Sequence, residues 1–223
     1  YVDKTPFIRK MLDAGDGYWF LSRPRRFGKS LFLDTIRAAF AGEKELFKGL
    51  FLEKNWDWSI KYPVINISFG RGTVRSAAML DNSIYFTLTN CAENYDIELT
   101  AQSIPERFEE LIQKVHKKFE LGVVVLVDEY DKPLLDNLTN NADPDRVIDI
   151  REGLSSFYSV LKDTDRYLKF VFLTGVSKFS KTSIFSKLNN LMDISLKPDY
   201  GDICGYTQEE FESVFADYLH DVD

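Results

Sequence analysis

The chain has no long apolar run. Its longest, around Val123–Val127 and Phe170–Leu173, fall far short of the roughly 20 residues needed to span a bilayer, so no membrane segment is expected. Basic residues are outnumbered, with 28 Lys and Arg against 35 Asp and Glu for a net charge of −7. That balance argues against a broad electrostatic footprint for nucleic acid or anionic lipid and confines any basic patch to a local one. The two cysteines, Cys91 and Cys204, have no histidine at ligand spacing, which argues against zinc. With no secretory segment near Tyr1, two reduced thiols in a cytoplasmic protein are the expected state. His116 and His220 lie in charged helical stretches and read as surface residues. There is no internal repeat and no low-complexity segment, and the chain reads as a piece of something longer.

What is present is enough apolar sequence, 44% of 223 residues, to bury one large core. Short β-branched or aromatic runs alternate with longer helical stretches, the signature of an α/β domain with a mainly parallel sheet. Strands are expected at Tyr18–Ser22, Pro63–Phe69, Val123–Asp128 and Leu168–Thr174, with a weaker fifth at Met192–Leu196. The continuously apolar third run belongs in the sheet interior, whereas the alternation Val64, Ile65, Asn66, Ile67, Ser68 suits a half-covered strand. Helices are expected at Lys29–Phe40, Pro105–Phe119, Arg146–Leu161 and Thr207–Leu219. The third carries Val147, Ile150, Leu154, Phe157, Tyr158 and Leu161 at spacings of three and four. Thr207 with Glu210 gives the last a capping-box start. Residues 70–104 mix helical spacing with β-branched residues and yield no clear element.

The chemistry is concentrated in two places. After the first strand comes Ser22-Arg23-Pro24-Arg25-Arg26-Phe27-Gly28-Lys29-Ser30, leading into an apolar helix that opens with Leu31. Gly-Lys-Ser between a strand and a helix is the second half of a Walker A motif. Gly28 lets backbone approach a phosphate, and the amides opening the helix point at the anion. Lys29 would neutralise β- and γ-phosphates, and Ser30 would ligate magnesium. Arg25, Arg26, Phe27, Gly28, Lys29, Ser30 and Leu31 are therefore the expected nucleotide contacts. The loop departs from the full motif at one point, where Arg23 stands in place of the first glycine. Taken alone, the tripeptide is equally a helix start with a solvated lysine.

The second place is Val123-Val124-Val125-Leu126-Val127-Asp128-Glu129, a buried strand ending in two carboxylates, as in a Walker B motif. Asp128 would hold magnesium, and Glu129 would polarise the attacking water as general base. Both could instead simply begin a polar loop. At the tip of the fourth strand, Thr174 is the expected polar sensor with Ser177 in reserve; its plainer role is to cap a turn before Gly175. Together the motifs predict a three-layer P-loop NTPase whose sheet of about five strands runs in a 51432-type order. The nucleotide-binding core is expected over residues 1–206, and the start of a C-terminal helical lid over 207–223.

YVDKTPF at Tyr1–Phe7, LSRPRRFGKS at Leu21–Ser30, VLVDEYDKP at Val125–Pro133, FLTGVSKFS at Phe172–Ser180, SIFSKLNNL at Ser183–Leu191 and ICGYT at Ile203–Thr207 together resemble the predicted AAA-ATPase-like family, found mainly in bacteria. The resemblance covers nearly the whole chain. It implies that Lys29 and Ser30 contact nucleotide and magnesium, and that Asp128 and Glu129 serve the metal and the water. It implies too that Arg23 is a family variant, and that a nuclease-like C-terminal domain often follows. The expected ligands are ATP or ADP with Mg2+; GTP is disfavoured because no Asn-Lys-x-Asp motif occurs. A second copy of the chain is a candidate partner, since an arginine finger can come from a neighbouring subunit, and nucleic acid is left open. The rival to an ATPase is a nucleotide-gated interaction switch with negligible hydrolysis.

Overall fold

The computed structural model describes all residues except Asp16, 139–142, 178–183, 186, 187, 189 and 220–223. In chain order the elements are α1 (Thr5–Asp13), β1 (Tyr18–Ser22), α2 (Lys29–Phe40), α3 (Leu52–Asn55), β2 (Val64–Ser68), α4 (Ala77–Glu93), α5 (Ile104–Phe119) and β3 (Val123–Asp128). There follow α6 (Lys132–Leu135), α7 (Pro144–Asp163), β4 (Leu168–Gly175), β5 (Met192–Asp193), α8 (Gln208–Val214) and α9 (Ala216–Leu219). The strands form one sheet in the order β2-β3-β4-β1-β5, and every pairing is parallel. Read from the β5 edge, this is the expected 51432 order.

Strand periodicity divides the core in two, because successive side chains point to opposite sheet faces. Tyr18, Phe20, Val123, Val125, Val127, Val171 and Leu173 join the cluster under α4, α5 and α7. Trp19, Leu21, Val124, Leu126, Phe170 and Phe172 join the cluster under α1, α2 and α3. β3 is buried along its whole length, as a strand covered on both faces must be. β2, at the sheet edge, alternates buried Ile65 and Ile67 with exposed Asn66 and Ser68.

The stripe on α7 does what its spacing promised: Ile150, Leu154, Phe157, Tyr158 and Leu161 are all buried, and Phe157 stacks on Phe108 at 4.7 Å between ring centroids. His116 donates through Nδ1 to the Leu121 carbonyl at 2.9 Å and packs on Tyr167, a role in closing α5. His220 lies outside the described residues.

Three elements differ from the sequence expectation. Residues 77–93, left without a clear element, are the 17-residue helix α4, started by the Ser76 hydroxyl accepting from the Met79 amide. Leu80, Ile84 and Leu88 form its buried stripe, while Phe86, 66% exposed, sits off that stripe and obscured the period. The opening segment holds α1, whose Ile8 and Met11 are buried one helical turn apart. The stretch from Thr207 to Leu219 is two short helices, interrupted at Phe215. The ring of Phe215 packs on Tyr206 and Phe211. The capping box of Thr207 and Glu210 is present as expected.

The interior location of Phe157 gives a direct check on this packing. Phe157→Ala should lower the unfolding free energy by about 3–5 kcal/mol in a urea titration, whereas Phe86→Ala should stay within about 0.5 kcal/mol of the parent.

Candidate functional site

Parallel register sets the strand ends side by side. Ser22 of β1 pairs with Gly175 of β4, Val127 of β3 with Leu173 of β4, and Ser68 of β2 with Asp128 of β3. The turn after β1 and the acidic end of β3 therefore flank the tip of β4 on one edge of the sheet, the edge where α/β domains bind ligands.

The turn after β1 is held in an unusual backbone path. Arg26 takes φ 64° and Gly28 φ 87°; the left-handed region costs a residue with a side chain roughly 1–2 kcal/mol, and glycine little. Gly28 also stands immediately before α2 with no side-chain cap, so the first amides of that helix are not covered from within. A Cβ placed on Gly28 would meet nothing within 4 Å, which means that the space above these amides is open. Arg25, Arg26, Phe27, Ser30 and Leu31 are exposed around it.

Lys29 behaves differently from a solvated lysine. It is 7% exposed, and its ammonium donates to the carbonyls of Arg23 at 3.0 Å and Pro24 at 2.9 Å. Burial lowers its pKa, and the fields of Asp128, Asp131 and Glu129 offset part of that shift. Lys29 thus lies within electrostatic reach of the end of β3.

At that end, Asp128 is buried and accepts the Glu129 amide at 3.0 Å. Glu129 has φ 53°, a strained value for a non-glycine residue. Its carboxylate lies beside Gly70 and Ser68: a Cβ on Gly70 would come within 3.2 Å of Glu129 Oε2 and 3.3 Å of Ser68 Oγ. Thr174 is fully buried, and its hydroxyl is among the buried polar atoms with no hydrogen-bond partner in the described residues. Burying such a group unpaired costs about 1–3 kcal/mol.

Sequence reasoning missed the device that holds this arrangement. Asp131, buried two residues after Glu129, accepts the amides of Val176 at 3.0 Å and Ser177 at 2.6 Å. Tyr130 donates its amide to the Thr174 carbonyl at 3.0 Å and its phenol to the Ser177 carbonyl at 2.9 Å. The contact is so close that a Cβ on Gly175 would lie 2.5 Å from Asp131 Oδ1 and 2.6 Å from the Tyr130 ring, so only glycine fits. Ser177, the reserve sensor, is committed through its backbone to this clamp.

Beside the turn after β1 lies a cavity of about 410 Å³, lined among others by Tyr1, Lys4, Phe27, Leu31, Phe32, Cys204 and Tyr206. The opening segment and the chain around 203–206 form its walls. Lys4 bonds both oxygens of Glu210 at 2.6 Å, tying the opening segment to α8. Burial pulls the Glu210 carboxyl upward, but the bonds from Lys4 and Thr207 outweigh it and leave the group below its ordinary range. The tie is therefore complete at neutral pH and is lost as pH falls through the depressed value. Burial pushes the Cys204 thiol up to about 11 and that of Cys91 to about 11; both are buried free thiols.

These features match a known group of proteins. The profile described as predicted AAA-ATPase, AAA-ATPase-like, matches residues 1–185. The chain belongs to the predicted AAA-ATPase family. It is accordingly a domain of the nucleotide-binding ATPase type. An uncharacterised protein in the vnfD 5′ region of Azotobacter chroococcum mcd 1 is 50% identical over 223 residues, an overlap that takes in 100% of this chain and 42% of the relative. This AAA-ATPase-like chain thus spans less than half the length of that relative. Among solved structures, one chain in the structure of Drosophila ORC bound to AT-rich DNA and Cdc6 aligns over 95% of this chain and 60% of its own length, with 12% identity and a TM-score of 0.40. No helix among the described residues is long and apolar enough to cross a membrane.

The clamp can be tested without any ligand. Asp131→Ala leaves the half-buried amides of Val176 and Ser177 without their acceptor, so chemical denaturation should show a loss of about 1–3 kcal/mol. Asp131→Asn, which keeps one oxygen, should lose less.

Proposed function

We propose that this AAA-ATPase-like domain binds ATP with Mg2+, hydrolyses it, and uses the cycle to drive or gate a neighbouring domain or partner. The observation that carries the reading is the convergence of Lys29, the Asp128–Glu129 pair and the unpaired Thr174 hydroxyl on one sheet edge beside an open helix start. On this reading, the phosphates lie over Gly28 and the amides of Lys29, Ser30 and Leu31, and Lys29 exchanges the carbonyls of Arg23 and Pro24 for phosphate oxygens. Arg25 and Arg26, exposed on the same turn, supply further donors. The base enters the adjoining cavity, where Phe27, Phe32, Tyr1 and Tyr206 offer aromatic faces.

The residues fit magnesium. Among the described residues no group of three or more His, Cys, Asp or Glu could hold a metal by itself, and Mg2+ in nucleotide sites takes one or two protein oxygens, with phosphates and waters completing its shell. Ser30 and Asp128 would be those protein ligands. The ion would neutralise charge developing on the phosphates. Glu129 orients and deprotonates the attacking water, and Thr174 donates its hydroxyl toward the terminal phosphate or that water. The recipient of the cycle is the further part of a longer protein, for which the family resemblance suggests a nuclease-like domain, or a second copy of the chain. Such a domain works where ATP is supplied, in the cytoplasm.

A nucleotide-gated switch with negligible turnover is the second reading. It is favoured by the engagement of the Lys29 ammonium with its own loop and by the strained backbone of Glu129. One pair of measurements separates the two. Under the ATPase reading, the parent releases phosphate from Mg-ATP, and Glu129→Gln keeps its thermal stabilisation by Mg-ATP while losing about 10²-fold or more of that release. Stabilisation of both proteins with no release from the parent supports the switch. Equal release from both removes Glu129 as the base.

A further inference from the structure

The residue standing where a full Walker A loop has its first glycine is used for something a glycine could not do. The guanidinium of Arg23 donates only to main-chain carbonyls among its described partners. Nη1 goes to Ser195 and, at 3.2 Å, to Ser22; Nη2 goes to Tyr200 at 3.2 Å and Gly201 at 3.4 Å. Three of these four acceptors belong to the segment that follows β5. The Ser22 amide adds a fourth link, donating to the Ser195 hydroxyl at 2.9 Å. That segment continues directly into Ile203, Cys204, Gly205 and Tyr206, one wall of the cavity beside the phosphate turn. On its other side, the Arg23 carbonyl accepts the Lys29 ammonium at 3.0 Å.

Geometry makes arginine suitable here. Its planar fork carries five donors in fixed directions, so a single side chain reaches Ser195 with one nitrogen and the Tyr200–Gly201 turn with the other. Hydrogen bonds from a charged donor are roughly twice as strong as those between neutral groups. They are spent here on fixing one stretch of backbone against another. A guanidinium so engaged is not directed at a phosphate, unlike the exposed Arg25 and Arg26.

We infer that Arg23 is a positioning residue for the base end of the nucleotide: it pins the 195–206 segment to the phosphate turn, so that the cavity wall and the phosphate site keep one fixed spacing. The inference rests on the nucleotide-binding reading above. It extends that reading by assigning the departure from the standard motif to recognition of the base, not to the phosphates. Restoring the standard glycine should therefore harm the protein selectively.

The test is a calorimetric titration of the parent, Arg23→Gly and Arg23→Lys with Mg-ATP and, separately, with inorganic tripolyphosphate and Mg2+. Loss of an interaction of this size should weaken ATP binding by about tenfold or more in Arg23→Gly, with tripolyphosphate binding unchanged within about twofold. Arg23→Lys, which keeps the charge but cannot bridge both turns, should show the same selective loss to a smaller degree and carries the test if the glycine variant does not fold. Alkylation by a thiol reagent supplies a readout without nucleotide: Cys204 on the released wall should react faster in the variants, while the buried Cys91 serves as the internal control. Equal losses for ATP and tripolyphosphate would make Arg23 a phosphate contact and overturn the inference, as would unchanged ATP affinity with unchanged Cys204 reactivity. A parent that binds tripolyphosphate no more weakly than ATP, or neither ligand, would defeat the nucleotide reading itself.

Discussion

The insertion of β4 between β1 and β3 is the constraint from which the site follows. Neighbouring strands in a sheet lie about 4.8 Å apart, so the Gly-Lys-Ser turn and the acidic strand end start about 10 Å from each other with the tip of β4 between them. A one-residue slip of register would turn Val124, Leu126, Phe170 and Phe172 away from α2 and move the side chains of the slipped strand to the wrong face. Two apolar clusters, one on each face of the sheet, oppose such a slip. The chemistry of the edge thus depends on packing far from it.

Along that edge, several groups are kept in states that an ordinary surface would not tolerate. Arg26 and Glu129 have left-handed backbones, Lys29 is buried against carbonyls, and the Thr174 hydroxyl has no described partner. The two left-handed backbones and the unpaired hydroxyl each cost stability. The Asp131 clamp and the Arg23 bridge hold the surrounding backbone while these groups stay available. The division is physical: hydrogen-bonded polar residues fix the frame, and the strained or unsatisfied groups lie within it.

Much of this was legible in the residues. Strands β1 and β3 and helix α2 are bounded where the apolar runs and the Gly-Lys-Ser turn placed them, because period and punctuation agree there. Helix α4 was obscured because Phe86 breaks the stripe formed by Leu80, Ile84 and Leu88. The break at Phe215 could not be read from a sequence whose helical propensity continues to Leu219. In the site, Lys29, Asp128 and Glu129 stand out because their types and spacing carry the chemistry. Asp131 and Arg23 do not, since a carboxylate that serves two amides 45 and 46 residues away and an arginine that serves carbonyls more than 170 residues away look the same in sequence as solvated charges.

The central claim is that one triphosphate, with its ion, touches both halves of the edge. Replacing Mg2+ by paramagnetic Mn2+ and following the amide resonances on adding ATP measures this directly. The account predicts concerted broadening at Gly28, Lys29, Ser30 and Leu31 and, in the same titration, at Asp128, Glu129 and Thr174, with α5 unaffected. Broadening confined to one of the two groups, or present equally without ATP, would contradict it.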